Sequence, residues 1–288
     1  TDHAPKPVTP VTEQSTTSST GSADLQLSSS GTSAQPAAPV ATQQVITVST
    51  DVLKVQIDTK GGDIVDLTLP AFTVSKGSDQ PYQLMRKLNG FEYVAQSGLL
   101  ADGPDDKRNS GRPVYSATKT SYELANGEQQ VVVPLTFNHN GLEIEKRYTF
   151  TAGKYDVRVE YLLKNTTAET KLVQSYQHLV QTINNGESSS MMMPIYRGGA
   201  YSTSEKRYES AGKHIEILRK YDFDDMQETN LAQSTKGGWV AMLEHYFVAA
   251  WVPEKTADNQ LYSLVNNGNG IVGVKGPELT IPAGESLT

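Results

Sequence analysis

A two-residue rhythm constrains this chain more than any other feature. Leu142, Ile144, Tyr148 and Phe150 alternate with Glu143, Glu145, Arg147 and Thr149. Shortly afterwards Tyr155, Val157, Val159, Tyr161 and Leu163 alternate with Asp156, Arg158 and Glu160. Successive side chains of a β-strand point to opposite faces, so these runs read as strands with one face buried and one solvated. Ala152-Gly153-Lys154 between them suits a hairpin, and short turns between successive strands favour antiparallel pairing.

Further strands are predicted over Val45–Ser49, Val52–Asp58, Ile64–Leu69, Phe91–Gln96, Ser121–Ala125, Gln129–Phe137, Leu172–Ile183, Gln260–Val265 and Ile271–Val274. Gly61-Gly62, Asn126-Gly127, Asn140-Gly141 and Asn267-Gly268 supply turns between many of them. Helical patterning is thin. Ser202–Ile217 and Asp224–Leu231 could each hold a short helix, with Ser202 or Ser204 and Asp224 as N-caps. No tandem repeat is visible. A dozen or more strands in one domain do not make a stable flat sheet, so an enlarged, mainly antiparallel sandwich of two facing sheets is expected.

Composition separates residues 1–44 from the rest. Nearly half of them are Ser, Thr or Pro; none is aromatic, and Lys6 is the one cation. Such a segment buries too little apolar surface to offset its ordering entropy, and reads as a disordered linker that tethers the domain formed by residues 45–288. The chain starts at Thr1, not Met, so it is expected to be a piece of something longer. It has no cysteine, which excludes disulfide scaffolds, thiolate metal sites and cysteine catalysis. A net charge of -7 argues against nucleic acid or an anionic membrane surface as the partner. The longest apolar stretch, Trp239 to Val252, is interrupted by Glu244 and His245 and is too short to span a bilayer.

Several motifs invite chemical readings. Gly268, Gly270 and Gly273 spell G-x-G-x-x-G, but Val272 and Val274 continue a hairpin strand where a dinucleotide site needs a helix N-terminus. The five histidines, at positions 3, 139, 178, 214 and 245, show no metal-ligand spacing, so no metal or cofactor is expected. No G-x-S-x-G elbow exists. Met191-Met192-Met193 reads as adaptable packing or contact surface, and Asn165-Thr166-Thr167 as a turn. Trp239 and Trp251 read as core. The stretch Glu187 to Leu231 is the candidate partner surface. It carries Tyr196, Arg197, Tyr201, Arg207, Tyr208 and Tyr221, and Tyr and Arg are enriched at interface hot spots. The competing reading is that these aromatics pack inward over a sheet edge.

The block Thr235 to Pro253, TKGGWVAMLEHYFVAAWVP, resembles the signature of the large periplasmic domain of the YidC membrane protein insertase of Gram-negative bacteria. Shorter matches follow in the family's order: Asp51-Val52-Leu53, Thr59-Lys60-Gly61-Gly62-Asp63, Leu69-Pro70-Ala71, Ala95-Gln96-Ser97-Gly98-Leu99, Asp102-Gly103-Pro104, Tyr196-Arg197-Gly198-Gly199-Ala200-Tyr201-Ser202-Thr203 and Asn267-Gly268-Asn269-Gly270. The resemblance implies a β-super-sandwich similar to the galactose mutarotase fold. It also implies strands at Trp239–Leu243 and Tyr246–Val252, and a family C-terminal strand and helical connection beyond Thr288, whose absence would leave a sheet edge unpaired.

Functionally the resemblance implies a non-catalytic periplasmic scaffold on the inner membrane, held by membrane segments outside this chain. SecDF and other Sec translocon components, with emerging membrane proteins, are the implied partners. SecDF contact is placed near the Glu187 to Leu231 stretch. The alternative is a periplasmic carbohydrate- or peptide-binding sandwich, even an aldose epimerase. That chemistry needs a general acid and a general base across a sugar ring; His178 is the one histidine nominated, with no carboxylate partner identified.

Overall fold

The structure is a computed structural model and describes residues 41–183, 197–203, 219–244 and 246–288, with Arg219–Asp222 described by backbone alone. In chain order the strands are β1 (Val45–Ser49), β2 (Lys54–Asp58), β3 (Asp63–Thr73), β4 (Pro81–Leu88), β5 (Phe91–Ala101) and β6 (Ser121–Glu123). They continue with β7 (Gln130–His139), β8 (Leu142–Thr151), β9 (Val157–Asn165), β10 (Lys171–Thr182), β11 (Arg197–Ser202) and β12 (Arg219–Asp222). Among the described residues a single short helix, α1 (Phe223–Glu228), precedes β13 (Ala232–Lys236), β14 (Trp239–Glu244), β15 (Phe247–Trp251), β16 (Asp258–Asn266), β17 (Asn269–Ile281) and β18 (Ser286–Leu287).

Ten strands form one sheet in the order β13-β16-β17-β10-β5-β4-β3-β2-β1-β6. Two four-stranded sheets, β12-β11-β14-β15 and β18-β9-β8-β7, make up the facing layer. Pairing is antiparallel except for the parallel contact of β6 with β1. Three Asn-Gly hairpins share one geometry. Asn89-Gly90, Asn140-Gly141 and Asn267-Gly268 all have positive φ at both residues, the left-handed turn that matches strand twist. They set the registers Leu88↔Phe91, His139↔Leu142 and Asn266↔Asn269.

The alternation in the sequence becomes the inside–outside pattern of the sandwich. On β8, Leu142, Ile144, Tyr148 and Phe150 are buried. They join one continuous core with Val55, Ile57, Tyr93, Leu179 and Val272 of the large sheet, and with Val240 and Met242 of β14. Each such side chain contributes about 1.5–3 kcal/mol on burial. Polar links cross between layers as well. Tyr93 Oη donates to the Met242 carbonyl at 3.2 Å, Trp251 Nε1 donates to the His178 carbonyl at 3.0 Å, and Tyr148 Oη donates to the Gly62 carbonyl.

The all-β sandwich expectation holds, with corrections. The second layer is divided into two sheets. The expected strands at Phe91 and Ile271 are longer, reaching Ala101 and Ile281. β4, β11, β12, β13 and β18 were not expected. The expected helix at Asp224 is α1, which starts at Phe223, so Asp224 sits in its first turn instead of capping it. Ser202 closes β11, and residues 204–218, most of the other expected helix, lie outside the described residues, as does Met191-Met192-Met193. Asn165 is buried, and its Nδ2 donates to the Glu169 carbonyl at 2.7 Å and the Ile281 carbonyl at 2.9 Å, so it fastens the turn after β9.

Candidate functional site

The nominated histidine lies in a row of four paired positions across four strands. Tyr262 on β16 pairs with Gly273 on β17, Gly273 with His178 on β10, and His178 with Gln96 on β5. Paired residues share a sheet face. This one is opposite the main core, since Leu179 beside His178 enters that core while Val180 joins Val94 and Ile271 in a separate cluster. His178 Nδ1 lies 2.8 Å from Tyr262 Oη, and Nε2 lies 2.8 Å from Gln96 Oε1. Burial pushes the Tyr262 phenol up, so its hydroxyl donates to Nδ1, and Nε2–H then donates to the Gln96 oxygen. Burial, with the nearby Arg112 charge adding to it, holds the imidazole down to about 3. His178 is therefore neutral at physiological pH and committed at both nitrogens. Its two hydrogen-bond partners are a phenol and an amide; neither is a carboxylate.

Gly273 makes this possible. A β-carbon there would run into the Tyr262 ring and the His178 Cβ. The G-x-G-x-x-G residues thus have local explanations: Gly268 takes positive φ in a turn, Gly270 lies under the Phe223 ring, and Gly273 lets Tyr262 reach His178. The motif continues as β17, as expected from the sequence.

A second constellation was not visible from sequence. Arg112 Nη1 and Nη2 donate to both oxygens of Asp63 at 2.8 and 2.9 Å, and its Nε donates to Asp105 at 2.7 Å. Nη2 also reaches the Ser97 carbonyl at 2.7 Å. Beneath it, the fully buried Lys146 donates from Nζ to the Gly61 carbonyl at 2.9 Å and the Ser97 carbonyl at 3.1 Å, and lies 3.9 Å from Asp63. Burial, opposed by Asp63, pulls the Lys146 ammonium down to about 8, and burial also raises the Asp63 carboxyl. Two cations meet two anions and two carbonyls, so the cluster is internally satisfied. It ties the Gly61-Gly62 turn, β5 and the loop before β6 to β8, a structural clamp.

An open recess of about 550 Å³ sits where two Asn-Gly turns meet, lined by Lys87, Asn89, Glu92, Thr182, Asn267 and Asn269 among others. Its polar groups close on one another. The Glu92 amide donates to Thr182 Oγ1 at 2.9 Å, Thr182 Oγ1 donates to Asn269 Oδ1 at 2.9 Å, and Asn269 Nδ2 approaches Glu92 Oε2 at 3.4 Å. No group of three or more His, Cys, Asp or Glu suited to a metal ion occurs among the described residues.

Of the residues nominated for partner contact, Tyr196, Arg207 and Tyr208 lie outside the described residues, and Tyr221 is described by its β12 backbone alone. Tyr201 is 8% exposed and belongs to the core, which corrects its placement on an outer surface. Arg197 donates to the Thr182 carbonyl at 3.0 Å and the Ile183 carbonyl at 3.3 Å, and stands over the Phe91 ring. Those two residues pack β11 against the large sheet. Trp239 and Trp251 are half-buried, less enclosed than expected. His245 lies outside the described residues, while its neighbour Glu244 is buried and paired with Arg86 at 3.0 Å.

Comparison with known proteins is specific. A family model described as the YidC periplasmic domain matches residues 45–288. A protein named membrane protein insertase YidC from Shewanella sp. (strain W3-18-1) is 44% identical, over 99% of this chain and 51% of its own length. One of the same name from Actinobacillus succinogenes is 40% identical, over 100% of this chain and 50% of its own length. The chain spans about half the length of the curated relatives it matches. Among solved structures, a galactose mutarotase-like protein from Lactobacillus casei ATCC 334 gives a TM-score of 0.48 at 8% identity, over 85% of this chain and 97% of that one. The sandwich here rests on its own strand pairing.

Proposed function

Because the chain belongs to the YidC periplasmic domain family, we propose that it serves as the non-catalytic periplasmic part of an inner-membrane protein insertase. In this reading it is a rigid platform that positions the insertase and contacts SecDF, other Sec translocon components and emerging membrane proteins. The observation that carries the reading is the family match through residues 45–288, joined to insertases that share nearly the whole chain. A non-enzymatic role is supported by the state of His178: neutral, and hydrogen-bonded at both nitrogens to groups that are not acid–base partners at neutral pH.

The test uses the full-length insertase, with and without this domain, solubilised from native membranes. Loss of SecDF from the purified complex when the domain is deleted is the expected result; undiminished co-purification would sink the scaffold reading. Polarimetry with aldose anomers checks the enzymatic alternative, and the expected rate is that of buffer.

A further inference from the structure

The second edge of β5 is closed without a strand. On the side away from β10, β5 pairs with β4 as far as Tyr93 and with β3 at Ala95. Beyond that point, among the described residues, side chains take the place of a partner strand. Ser97, Leu99 and Ala101 each turn an N–H and a carbonyl to this side, in the two-residue alternation of a ladder. The three N–H groups donate to Asp63 Oδ1 at 3.4 Å, Asp105 Oδ2 at 2.9 Å and Asp106 Oδ2 at 3.1 Å. The Ser97 carbonyl accepts from Arg112 and Lys146, the Leu99 carbonyl from the Asp105 amide at 2.9 Å, and the Ala101 carbonyl from Arg108 Nη2 at 2.6 Å.

Asp105, Asp106 and Arg108 belong to one loop, residues 103–111. It is closed on itself: Asn109 Nδ2 donates to the Gly103 and Pro104 carbonyls, each at 3.2 Å, and the Asn109 amide donates to the Asp106 carbonyl at 3.0 Å. Pro104 is its one apolar side chain, and none of its residues joins the hydrophobic core. It runs from Gly103 to Gly111, which takes φ 94°; small residues at the ends of a segment absorb hinge motion. The loop is a compact unit fastened to β5 by polar bonds.

Asp105 is the fastener. Its side chain is 1% exposed, with Arg112 Nε donating to Oδ1 at 2.7 Å and the Leu99 N–H to Oδ2. Gly98 makes room for it, since a β-carbon there would lie 2.4 Å from Asp105 Cγ. Arg112 does not depend on the loop for its place, because Asp63 and the Gly61 and Ser97 carbonyls also hold it. With Asp105 withdrawn, Arg112 and Lys146 would face the single carboxylate of Asp63, beside a free N–H and over a glycine floor. Such a cradle suits an anion with two acceptor oxygens.

We propose that residues 103–111 form a hinged strap whose Asp105 carboxylate is an internal ligand, filling a carboxylate-binding site on β5 that accepts an external carboxylate when the strap swings out. The Asp105 amide bonded to the Leu99 carbonyl refines the chemistry. A carboxylate with an N–H beside it, as in an aspartyl residue, reproduces the whole contact. The site is independent of the Sec contacts proposed above, so either can fail alone.

Hydrogen exchange followed by NMR on the isotopically labelled 288-residue chain tests the opening. After correction for intrinsic rates, the Leu99 and Asp105 amides should share one opening and exchange at least about tenfold faster than the core amides of Leu179 and Val272. Exchange of all four through global unfolding alone overturns the strap. Chemical rescue tests the site. In D105A the Leu99 amide should exchange faster than in the parent, and acetate at about ten times its Kd should slow it about tenfold. Chloride at equal ionic strength and acetamide should not. In the parent, where Asp105 fills the site, acetate should leave Leu99 unchanged. D105N is the second variant, should D105A fail to fold. G98A, which fills the cradle and keeps every charge, should free the strap and show no acetate effect. End-blocked aspartate replaces acetate in a second arm: tighter binding identifies a peptide carboxylate as the ligand, equal binding a free one. The site is overturned if neither carboxylate slows Leu99 exchange, if chloride does so equally, or if the acetate effect persists in G98A.

Discussion

Gln181 is fully buried on β10, and among the described residues neither its side-chain oxygen nor its nitrogen has a hydrogen-bond partner. An unpaired buried amide costs about 1–3 kcal/mol, so Gln181→Met, which keeps the length and removes the polar atoms, should raise stability by that order in urea unfolding. A loss of stability would show the amide to be satisfied in solution. His178 makes the opposite kind of contribution. Its folded pKa is about 3 against an ordinary 6.5, so the unfolded chain binds the extra proton between those values. Stability attributable to His178 is complete above about pH 6.5 and is lost as pH falls towards 3. The scale is a few kcal/mol. His178→Gln should flatten the fall in melting temperature between pH 6.5 and 4 relative to the parent. Asp63 and Asp66, whose carboxyls burial raises, cancel in that comparison; parallel curves would refute the assignment. Lys146 shows where reading at this scale fell short. It lies in phase with Ile144 and Tyr148, so alternation alone places it inside, yet the partners that make this tolerable, the Gly61 and Ser97 carbonyls, lie 85 and 49 positions away.

Strands were legible where one face is apolar and the other polar, as on β8, and illegible where the pattern is blurred. β4, with sequence PYQLMRKL, buries the adjacent residues Leu84 and Met85 and lacks a clean alternation. It could still have been found from Asn89-Gly90, the same hairpin signal recognised at Asn140-Gly141. β13 has no large apolar residue, so hydrophobic patterning could not reveal it. The β10–β17 pair ties element to site. Gly273 is the gap in β17 through which Tyr262 meets His178, and Gly273→Ala runs into the Tyr262 ring and the His178 Cβ and forces the phenol aside. The expected cost is about 1–3 kcal/mol, the usual range for overpacking, read as a lower urea midpoint. The same variant should raise the His178 pKa, followed by its ring proton shifts, because displacing Tyr262 exposes the imidazole. Destabilisation with the His178 titration unmoved would mean that the row is not coupled through Gly273.

At the scale of the molecule, the sandwich was legible because alternation and turn residues agree, while the division of its second layer was not. Which sheet packs against which is decided by contacts far apart in sequence, such as Tyr93 with Met242 across 149 positions and Arg86 with Glu244 across 158. The His178 row is likewise assembled from partners 82 and 84 positions away. A divided layer raises the question of whether β12-β11-β14-β15 can leave the sandwich alone. It is held by apolar contacts of Val240, Met242 and Tyr201 in the shared core, by the Trp251 and Tyr93 hydrogen bonds, and by the Arg86–Glu244 pair. Detaching it would uncover apolar surface on the large sheet and leave the buried Glu244 carboxylate without its arginine, a cost of several kcal/mol. That sheet should therefore unfold only with the rest. Both tryptophans, Trp239 and Trp251, lie on it, so intrinsic fluorescence reports this sheet while far-UV circular dichroism reports the strands of all three sheets. The two probes should give one coincident urea transition. A fluorescence midpoint clearly below the dichroism midpoint would show that the smaller sheet detaches first, and that the shared core is weaker between the layers than within them.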